Sequence, residues 1–363
     1  AHAAQLTQRV NQALASLPTS AMAAHYADMA AQCQRRIHVR AVEIDAERAR
    51  AAQALLGEQN VLHAAIESIL TQSFVDFEFI CIDDASTDGS TDLLASVRDK
   101  RVHLVRNRKR LGLSVTLNRA LRMARGQYWA RMDADDISLP GRLEQQAKFL
   151  NAHPAISLVG VWAKTIGLAK EQTWKMPGNP DAIKAELLFN SPLVHSAIML
   201  RRQDFLQARF RYNPSVARAQ DYDLWERAAQ KLKMANLPKV LQRYRIHSGQ
   251  VGQRYGAGQA HTAAKVRARQ LRRVGLKPSL RELQLHNAIA TWQFPVTTKG
   301  LLEVESWLLK LRNANRKTKL FQISVFDTSL EQRWWNACRF ALTKNKKAWR
   351  IYSSSRLSQV GKR

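Results

Sequence analysis

The sequence predicts an α/β protein with a mostly parallel sheet flanked by helices, followed by a helical and basic C-terminal extension. Short apolar runs rich in β-branched and aromatic residues alternate with segments of helical length from about residue 57 to residue 258. Beyond residue 258 that alternation stops, and the sequence becomes helical in pattern and rich in Lys and Arg. In addition, two of the apolar runs end in clusters of aspartate.

The elements follow one another in a regular β/α order. Strands that alternate with helices of 10–15 residues favour a parallel sheet, because each helix returns the chain to the same edge. Asp88 and Ser90 suit the N-terminus of the helix that they precede, and Gly126 suits the end of another. The predicted order is helix 60–72, strand 77–83, helix 90–98, strand 102–106, helix 113–125, strand 127–132, helix 140–152, strand 156–166, helix 181–189, strand 195–201, helix 221–231 and strand 239–246.

Three regions are expected. Residues 1–56 form an N-terminal segment of helical composition, residues 57–258 form the central α/β domain, and residues 259–363 form the basic helical extension. Residues 37–45 alternate weakly between apolar and polar, so they are a candidate for a diverged first strand. The alternative is that the N-terminal segment replaces the usual first strand, for example after a change of reading frame.

Charge and cysteine content restrict the environment. The chain of 363 residues carries a net charge of +28, and residues 261–363 hold 22 Lys and Arg against 5 Asp and Glu. Such a basic region implies an anionic partner: lipid head groups, nucleic acid or an acidic glycan. Cys33, Cys81 and Cys338 have no metal-binding spacing, which suits a reducing compartment without disulfides. We see neither a signal peptide nor an apolar run of the ~18–20 residues that a membrane span requires.

The two acidic clusters are expected to lie at one edge of the sheet. Asp83 and Asp84 end the strand 77–83, and Asp133, Asp135 and Asp136 follow the strand 127–132. In open α/β sheets, ligands bind beyond the carboxyl ends of the strands. Carboxylates crowded there repel each other unless a cation or hydrogen bonds offset the repulsion. A nucleotide diphosphate with its divalent cation would do so, whereas the alternative is a pair of solvated turns or helix caps.

Six ordered motifs resemble one family, the inverting GT-A glycosyltransferases of the family-2 type. The resemblance covers about residues 57–250, and its motifs are Ala64–Phe74, Ile82–Thr91, Gly112–Leu121, Met132–Glu144, Gln220–Trp225 and Tyr244–His247. It implies a GT-A, Rossmann-like fold for the central domain. It also implies transfer of a sugar from a nucleotide-diphosphate donor, with inversion, to a hydroxyl of a growing glycan or lipid-linked saccharide.

The resemblance also implies roles for individual residues. Asp83 would contact the base, Asp84 the ribose, and Asp133 the ribose or a metal-bound water. Asp135, joined by His247, would bind Mn²⁺ or Mg²⁺, both of which accept carboxylate ligands. Asp221 would be the general base, although Gln220 stands where the family often has Glu. The alternatives are that Asp221 only stabilises the N-terminus of a helix and that His247 is an ordinary surface residue.

One departure from the family concerns the first strand. The family opens with a strongly apolar strand whose end contacts the base, and none directly precedes Gly57. If that strand is lost, the chain would be an inactive or basic nucleic-acid-binding protein. The other rival is a sugar nucleotidyltransferase, which would need a glycine-rich phosphate loop that the sequence does not show.

The C-terminal extension has two interpretations. Its Trp, Phe and Tyr residues are interleaved with Lys and Arg between residues 333 and 352, as in helices that bind anionic lipid. This interpretation places the protein in the cytoplasm, peripheral on the inner face of the plasma membrane. In the alternative, the extension is an ordinary amphipathic region that packs on the central domain, with Leu301, Val304, Leu308 and Leu311 on one helical face.

Overall fold

We describe the fold from a computed structural model, which covers the backbone of residues 42–44, 61–247 and 256–358. Its first sheet has four parallel strands in the order β3-β2-β1-β5. They are β1 (Val42–Ile44), β2 (Phe79–Asp83), β3 (Val102–Arg106) and β5 (Met132–Asp133). Strand β1 falls within the segment 37–45 and pairs with β2 on one side and β5 on the other. Residues 42–44 therefore form a central strand of this sheet, whereas the sequence did not decide whether the segment 37–45 contains a strand.

Helices cover both faces of this sheet, because β2 is apolar on both faces. Phe79 and Cys81 pack into a cluster with α1 (Val61–Leu70) and α4 (Arg142–Ala152). Ile80 and Ile82, which alternate with them, pack into a second cluster with α3 (Leu113–Met123). A short helix, α2 (Ser90–Ser96), connects β2 to β3.

The second sheet is mixed. Its strands run in the order β4-β9-β7-β10-β6, and β8 pairs with β7. The long strands β7 and β10 are parallel, whereas the pairs β4–β9, β9–β7, β7–β8 and β10–β6 are antiparallel. The strands are β4 (Tyr128–Ala130), β6 (Ile137–Ser138), β7 (Ile156–Ile166), β8 (Thr173–Trp174), β9 (Met199–Arg201) and β10 (Lys233–Arg245).

Arg131 is the point at which the chain passes from the second sheet to the first. It separates β4 from β5, and its backbone N–H donates to the carbonyl oxygen of Ile198 at 3.0 Å. The predicted strand 127–132 is therefore two short strands in different sheets. After this crossing, Met132 and Asp133 leave the second sheet and pair with β1 in the first sheet.

Two other strands differ from the sequence prediction. The predicted strand 195–201 begins as a 3₁₀ turn (His195–Ala197), so that only Met199–Arg201 is extended. The predicted strand 239–246 starts earlier, at Lys233, and its register with β7 shifts between Leu237 and Val240. Pro238 lies in this interval, and proline has no N–H to donate to the ladder, which explains both the irregularity and the misplaced start.

The C-terminal region is helical and has its own core. Buried residues of this region surround Trp334, and they pack against Leu188 and Phe189 of the α/β region. Within the described residues, no helix combines the length and apolarity that a membrane span needs. In the described part of the chain, the remaining helices are α5 (Pro180–Glu186), α6 (Arg202–Gln207), α7 (Gln220–Ala228), α8 (Gly256–Arg273), α9 (Leu280–Ala290), α10 (Thr298–Thr318), α11 (Ile323–Ala341) and α12 (Ala348–Ser354).

Ion pairs join α8 to α7. Arg269 contacts Asp223 at 2.9 Å and Glu226 at 2.5 Å, and Arg273 lies 3.4 Å from Glu226. Asp223 and Glu226 are both buried, so the contacts are shielded from solvent. The helical region is thus attached to the helix that carries Asp221 through charge as well as through apolar packing.

Candidate active site

The second acidic cluster lies where β5 ends. Asp133 is the last residue of β5, and a turn closed by the Asp136 N–H and the Asp133 carbonyl brings Asp135 and Asp136 beside it. One carboxylate oxygen from each of the three residues lies within 4.8 Å of the others, and all three residues are buried. Three like charges at this spacing disfavour one another unless a positive charge or hydrogen bonds compensate.

Asp136 anchors the cluster to β10 and to the 3₁₀ turn. Its Oδ1 accepts from the backbone N–H of Arg245 at 2.8 Å, and its Oδ2 accepts from Ser196 Oγ and from Gln242 Nε2. Burial, and then the charges of Asp135 and Asp133, raise the pKa of Asp136 well above its ordinary value. Ionisation of all three carboxylates at once is therefore unfavourable.

Arg131 balances Asp133. Both terminal nitrogens of its buried guanidinium contact the two carboxylate oxygens of Asp133, with Nη1 and Oδ2 3.1 Å apart. Such a fork-to-fork pair fixes the orientation of the carboxylate. The sequence analysis missed Arg131, although a charged residue inside an apolar strand and two positions before an aspartate was a signal for it.

Asp135 and His247 lie together, as the resemblance implied. His247 Nε2 is 3.1 Å from Asp135 Oδ2, and both side chains are buried. The guanidinium of Arg245 donates to the backbone carbonyl of Asp135 at 2.8 Å, which fixes the turn. His247 Nδ1 is buried and has no hydrogen-bond partner among the described residues.

Asp221 opens into the same cavity as Asp133 and Asp135. The cavity has a volume of about 250 Å³. Its remaining wall combines apolar and polar side chains, and its lining residues are Leu113, Arg131, Asp133, Asp135, Trp174, Met176, Ser191, Leu193, Val194, His195, Ala219, Gln220, Asp221, Tyr244 and Gln259. Asp135, predicted as a metal ligand, and Asp221, predicted as the base, therefore line one space, whereas His247 lies behind Asp135 and does not line it.

The backbone before Asp221 is strained. Ala219 has a φ of 50°, in the left-handed region that residues with a Cβ rarely adopt. Burial raises the pKa of the Asp221 carboxyl, and the Tyr222 N–H and the charge of Arg131 oppose that rise only in part. A carboxylate with a raised pKa is a better proton acceptor near neutral pH.

Asp83 and Asp84 lie at the end of β2, one strand away from the cluster across β1. The registers pair Ile44 with Asp83 and Glu43 with Asp133, so the two acidic strand ends are separated by two interstrand spacings, ~10 Å. Neither residue lines the cavity. Both acidic ends nevertheless lie at the same edge of the sheet.

The chain itself supplies hydrogen bonds to this first pair. Asp83 is fully buried and accepts from the Ser86 N–H at 2.8 Å and the Thr91 hydroxyl at 2.6 Å. Burial opposes ionisation, but these hydrogen bonds and the nearby Arg106 lower the pKa of Asp83 below its ordinary value. Asp84 accepts from the Asn107 amide and from the backbone N–H groups of Leu111 and Gly112 at 2.6–2.9 Å.

His195 lines the cavity beside Asp221. Its Nε2 lies 2.8 Å from the hydroxyl of Tyr212, and its ring packs edge-on against Trp225. Both contacts fix the imidazole. The side chain therefore shapes the cavity next to Asp221.

The residues of the cluster fit a divalent cation. The carboxylate oxygens of Asp136 already accept hydrogen bonds, and Asp133 is paired with Arg131. The carboxylate of Asp135 and the imidazole of His247 therefore remain as ligands for the cation. Carboxylate and imidazole suit Mn²⁺, and Mg²⁺ binds through one or two carboxylates with water and phosphate. A cation would also offset the repulsion that raises the pKa of Asp136.

Comparison with known proteins bears on the family and the fold. The profile of "Glycosyl transferase family 2" matches residues 55–210. WbnJ of Escherichia coli, an O-antigen biosynthesis glycosyltransferase, is 31% identical over 195 residues, which are 51% of this chain and 74% of WbnJ. WfaP of Escherichia coli is a UDP-Glc:alpha-D-GlcNAc-diphosphoundecaprenol beta-1,3-glucosyltransferase. It is 26% identical to this chain over 194 residues, which are 53% of this chain and 75% of WfaP.

A solved structure shares the fold. S. aureus TarS 1–349 in complex with UDP-GlcNAc superposes with a TM-score of 0.51 at 14% identity, over 87% of this chain and 92% of TarS. The sheet, its helical layers and the acidic strand ends define a GT-A-like protein, which confirms the predicted fold class. The chain belongs to glycosyltransferase family 2, and it is a transferase that uses a nucleotide-sugar donor.

Proposed function

We propose that this enzyme transfers a sugar, with inversion and with the help of a divalent cation, to a hydroxyl of a growing glycan or lipid-linked saccharide. The observation that carries the proposal is the single cavity lined by both Asp135 and Asp221. One carboxylate is placed for the donor diphosphate and the other for the acceptor hydroxyl. WfaP acts on a saccharide linked to diphosphoundecaprenol, and WbnJ acts in O-antigen biosynthesis, which supports an acceptor of this class.

In this proposal Asp135 and His247 hold the cation, and Asp133 lies beside it. Mn²⁺ or Mg²⁺, when bound, supplies a Lewis acid for the negative charge that grows on the leaving diphosphate. Arg131 holds the Asp133 carboxylate in place, and Arg245 fixes the turn that presents Asp135. The cation thus meets ligands that the fold has already oriented.

We assign the nucleoside half of the donor to the end of β2. Asp83 is buried and fully used, so its contribution is to hold the loop from Ser86 to Thr91. Asp84 is only partly buried, and its Oδ2, which accepts from the Gly112 N–H, can also accept a hydrogen bond from a ribose hydroxyl. The ribose and the diphosphate together then extend from this strand end toward Asp135.

Asp221 is the proposed base. The acceptor oxygen forms a bond to the anomeric carbon while the bond from that carbon to the diphosphate oxygen breaks on the opposite face. The hydroxyl proton passes to the carboxylate of Asp221. A single displacement of this kind inverts the anomeric configuration, and the raised pKa of Asp221 suits the proton transfer.

The test of this function measures release of nucleoside diphosphate. UDP-Glc, UDP-GlcNAc and GDP-Man are incubated with the protein and Mn²⁺ or Mg²⁺, with EDTA as the control. We expect at least one donor to be hydrolysed slowly, only with the metal, and NMR of a transfer product to show the inverted anomeric centre. Failure with every donor and both metals, together with salt-dependent DNA binding, would favour the nucleic-acid-binding alternative.

We also propose that an exposed aromatic surface of α11 and α12 contacts anionic lipid. Trp335, Trp349 and Tyr352 form a ring cluster with centroids 5.0–5.9 Å apart, and Trp349 is 54% exposed. Lys346, Lys347 and Arg350 are exposed around it. Trp334, by contrast, is buried in the core of the helical region. That part of the extension therefore packs inside the protein and is not available to lipid.

A point variant tests the lipid contact, because deleting residues 330–363 would remove the core residues Leu330 and Trp334. We expect Trp349→Ser to weaken sedimentation with phosphatidylglycerol vesicles, and K346E/K347E to weaken it further, at ~1 kcal/mol for each basic residue lost. Phosphatidylcholine vesicles are the control. Equal binding of the wild-type protein to both vesicle types, or to neither, would overturn the membrane contact.

A further inference from the structure

A second cavity lies between the α/β region and α11. It has a volume of about 760 Å³, within the ~300–1,000 Å³ that ligand pockets usually have. Met176 and Ser191 line both this groove and the cavity that contains Asp221. The two spaces are therefore neighbours, and the groove lies on the side of the cavity toward the helical region.

The groove wall on α11 is mostly polar, and Arg333 is its one charged residue. Thr328, Gln332 and Asn336 follow one another at intervals of four residues, so they share one face of the helix. Asn179, Asn190 and Ser191 stand among the residues of the opposite wall. Hydroxyl and amide groups both donate and accept hydrogen bonds, which matches a ligand that carries many hydroxyls.

Little net charge faces the groove, although the chain is strongly basic. Its charged lining residues are Lys175, Glu186 and Arg333, and Glu186 is paired with Arg333 at 2.7 Å. An anionic polymer would find one unpaired positive charge here. The wall is thus suited to a neutral ligand, and the many exposed Lys and Arg side chains lie elsewhere.

Two side chains at the groove add shape and unused hydrogen-bond donors. Trp292, partly buried, lines the groove and provides an aromatic surface with a polar N–H at its edge. Arg333 is 7% exposed, and its Nε and Nη1 have no hydrogen-bond partner among the described residues. Buried donors without partners are unusual in a folded protein and mark a place where a ligand oxygen would be stabilised.

We propose that this groove binds the saccharide units of the acceptor that lie behind the accepting hydroxyl, and that these units are neutral. The inference rests on the proposed transfer to a glycan and adds its substrate class: an uncharged oligosaccharide several units long. Its reacting end enters the cavity past Met176 and Ser191, where Asp221 lies. The remaining units contact the amides and hydroxyls of α11.

Binding of neutral oligosaccharides, measured by calorimetry without donor, tests the proposal. The probes are the hexasaccharides and disaccharides of the laminarin, cellulose, chitin and maltose series, with hexagalacturonate as the acidic comparison. We expect at least one neutral hexasaccharide to bind about tenfold more tightly than its disaccharide, because the longer chain reaches the groove. No preference for length in any neutral series, or tighter binding of hexagalacturonate, would overturn the inference.

Paired variants locate the binding. The groove variant Q332A/N336A should weaken the preferred hexasaccharide by about tenfold, since two side-chain hydrogen bonds are lost. Asn313→Ala is the matched control, because Asn313 is an exposed amide on α10 that lines neither cavity. Unchanged affinity in the groove variant, or an equal loss in the control, would place the saccharide elsewhere.

Donor hydrolysis separates this inference from the proposed function. Because Gln332 and Asn336 lie outside the donor site, the groove variant should hydrolyse nucleotide sugar at the wild-type rate. A wild-type protein that binds the hexasaccharide but hydrolyses no donor would overturn the proposed transfer and leave the groove as a saccharide site. A protein that hydrolyses donor and shows no preference for length would overturn the groove alone.

Discussion

The two acidic strand ends of this enzyme look alike in sequence and differ in structure. At the end of β2, donors from the chain fill the carboxylates of Asp83 and Asp84, and the pKa of Asp83 is lowered. At the end of β5, three carboxylates crowd within 4.8 Å, and the pKa of Asp136 is raised. At the first end the chain satisfies the buried Asp83 by itself, whereas at the second end burial and neighbouring carboxylates raise the pKa of Asp136 although Arg131 pairs with Asp133.

The difference teaches that adjacent aspartates at a strand end do not by themselves identify a metal site. What distinguishes the two ends is the number of buried carboxylates that share the space. The loop after β2 donates backbone N–H groups and a threonine hydroxyl to two carboxylates. At the end of β5 three carboxylates lie within 4.8 Å, and the hydrogen bonds to Asp136 do not prevent the rise of its pKa. Substitutions at each end should therefore affect different properties of the protein.

The largest expected effect is on activity at the second strand end. Asp135→Asn should reduce transfer roughly 10³-fold or more, since a neutral amide is a poor ligand for a hard cation and the Lewis acid supplies several kcal/mol. Without metal, its melting temperature should equal or exceed that of the wild type, because one like charge leaves the cluster. Differential scanning calorimetry with EDTA and a transfer assay with saturating Mn²⁺ measure both properties. Wild-type activity would contradict the assignment.

Asp221→Asn should reduce transfer by ~10²–10⁴-fold while donor affinity stays nearly constant. The amide keeps the size of the side chain and removes the proton acceptor. Calorimetry with the donor and a single-turnover transfer assay separate the two quantities. Asp223→Asn is the control: Asp223 is held by Arg227 and Arg269, so it should affect stability rather than transfer per folded molecule. A large loss of donor affinity in Asp221→Asn would assign that residue to the donor site.

At the first strand end we expect a loss of stability. Asp83→Ala should lower the free energy of unfolding by ~2–3 kcal/mol, because it leaves the Ser86 N–H and the Thr91 hydroxyl without their acceptor. Urea titration followed by circular dichroism measures the change. Asp76→Ala, at an exposed position, should stay within ~0.5 kcal/mol of the wild type. Equal effects of the two substitutions would remove the contrast between the strand ends.

The smallest expected effect concerns His286, which like Asp83 has its polar atoms satisfied within the fold. Its Nε2 donates to the Leu188 carbonyl at 3.0 Å, and its Nδ1 accepts from Trp307 Nε1 at 3.1 Å. Burial lowers the pKa of His286 to about 3. Since the unfolded state takes up the proton first, stability should be full above pH ~6.5 and fall as the pH decreases toward 3.

This single group accounts for a loss of ~2 kcal/mol between pH 7 and pH 5. His286→Gln keeps one donor and one acceptor but does not titrate. The difference in free energy of unfolding between wild type and variant should therefore shrink as the pH falls from 7 to 5. A difference that stays constant across this range would show that His286 does not bind a proton on unfolding.

Much of the α/β region could be predicted because its elements are bounded by local signals. Strands Val102–Arg106 and Ile156–Ile166 match the predicted limits, since polar or turn residues flank each apolar run. The change from the second sheet to the first at Arg131 could not be predicted from the sequence, because it depends on a backbone hydrogen bond to the distant Ile198. Likewise, Trp334 and Trp349 are the same residue type in one basic segment, and only tertiary packing buries the first and exposes the second.

The acidic strand ends could be located from the pattern of strands, whereas the assignments of His247 and Asp221 came through resemblance. Asp135 and His247 are separated by 112 positions, and nothing local connects them. The partner of Asp133 is Arg131, two residues away, and the chemistry of a buried cation beside a carboxylate would have identified it. The groove along α11 could not be foreseen, because its walls come from two regions that meet only after folding.

The ion pairs between α7 and α8 constrain how the enzyme can be recombined. Asp223 and Glu226 stand two and five residues after Asp221, and their partners Arg269 and Arg273 belong to the helical region. A chimera that takes its helical region from a relative without these arginines would remove the ion pairs of the buried Glu226 and leave Asp223 paired with Arg227 alone. An exchange of the helical region between relatives should therefore transfer these four positions together.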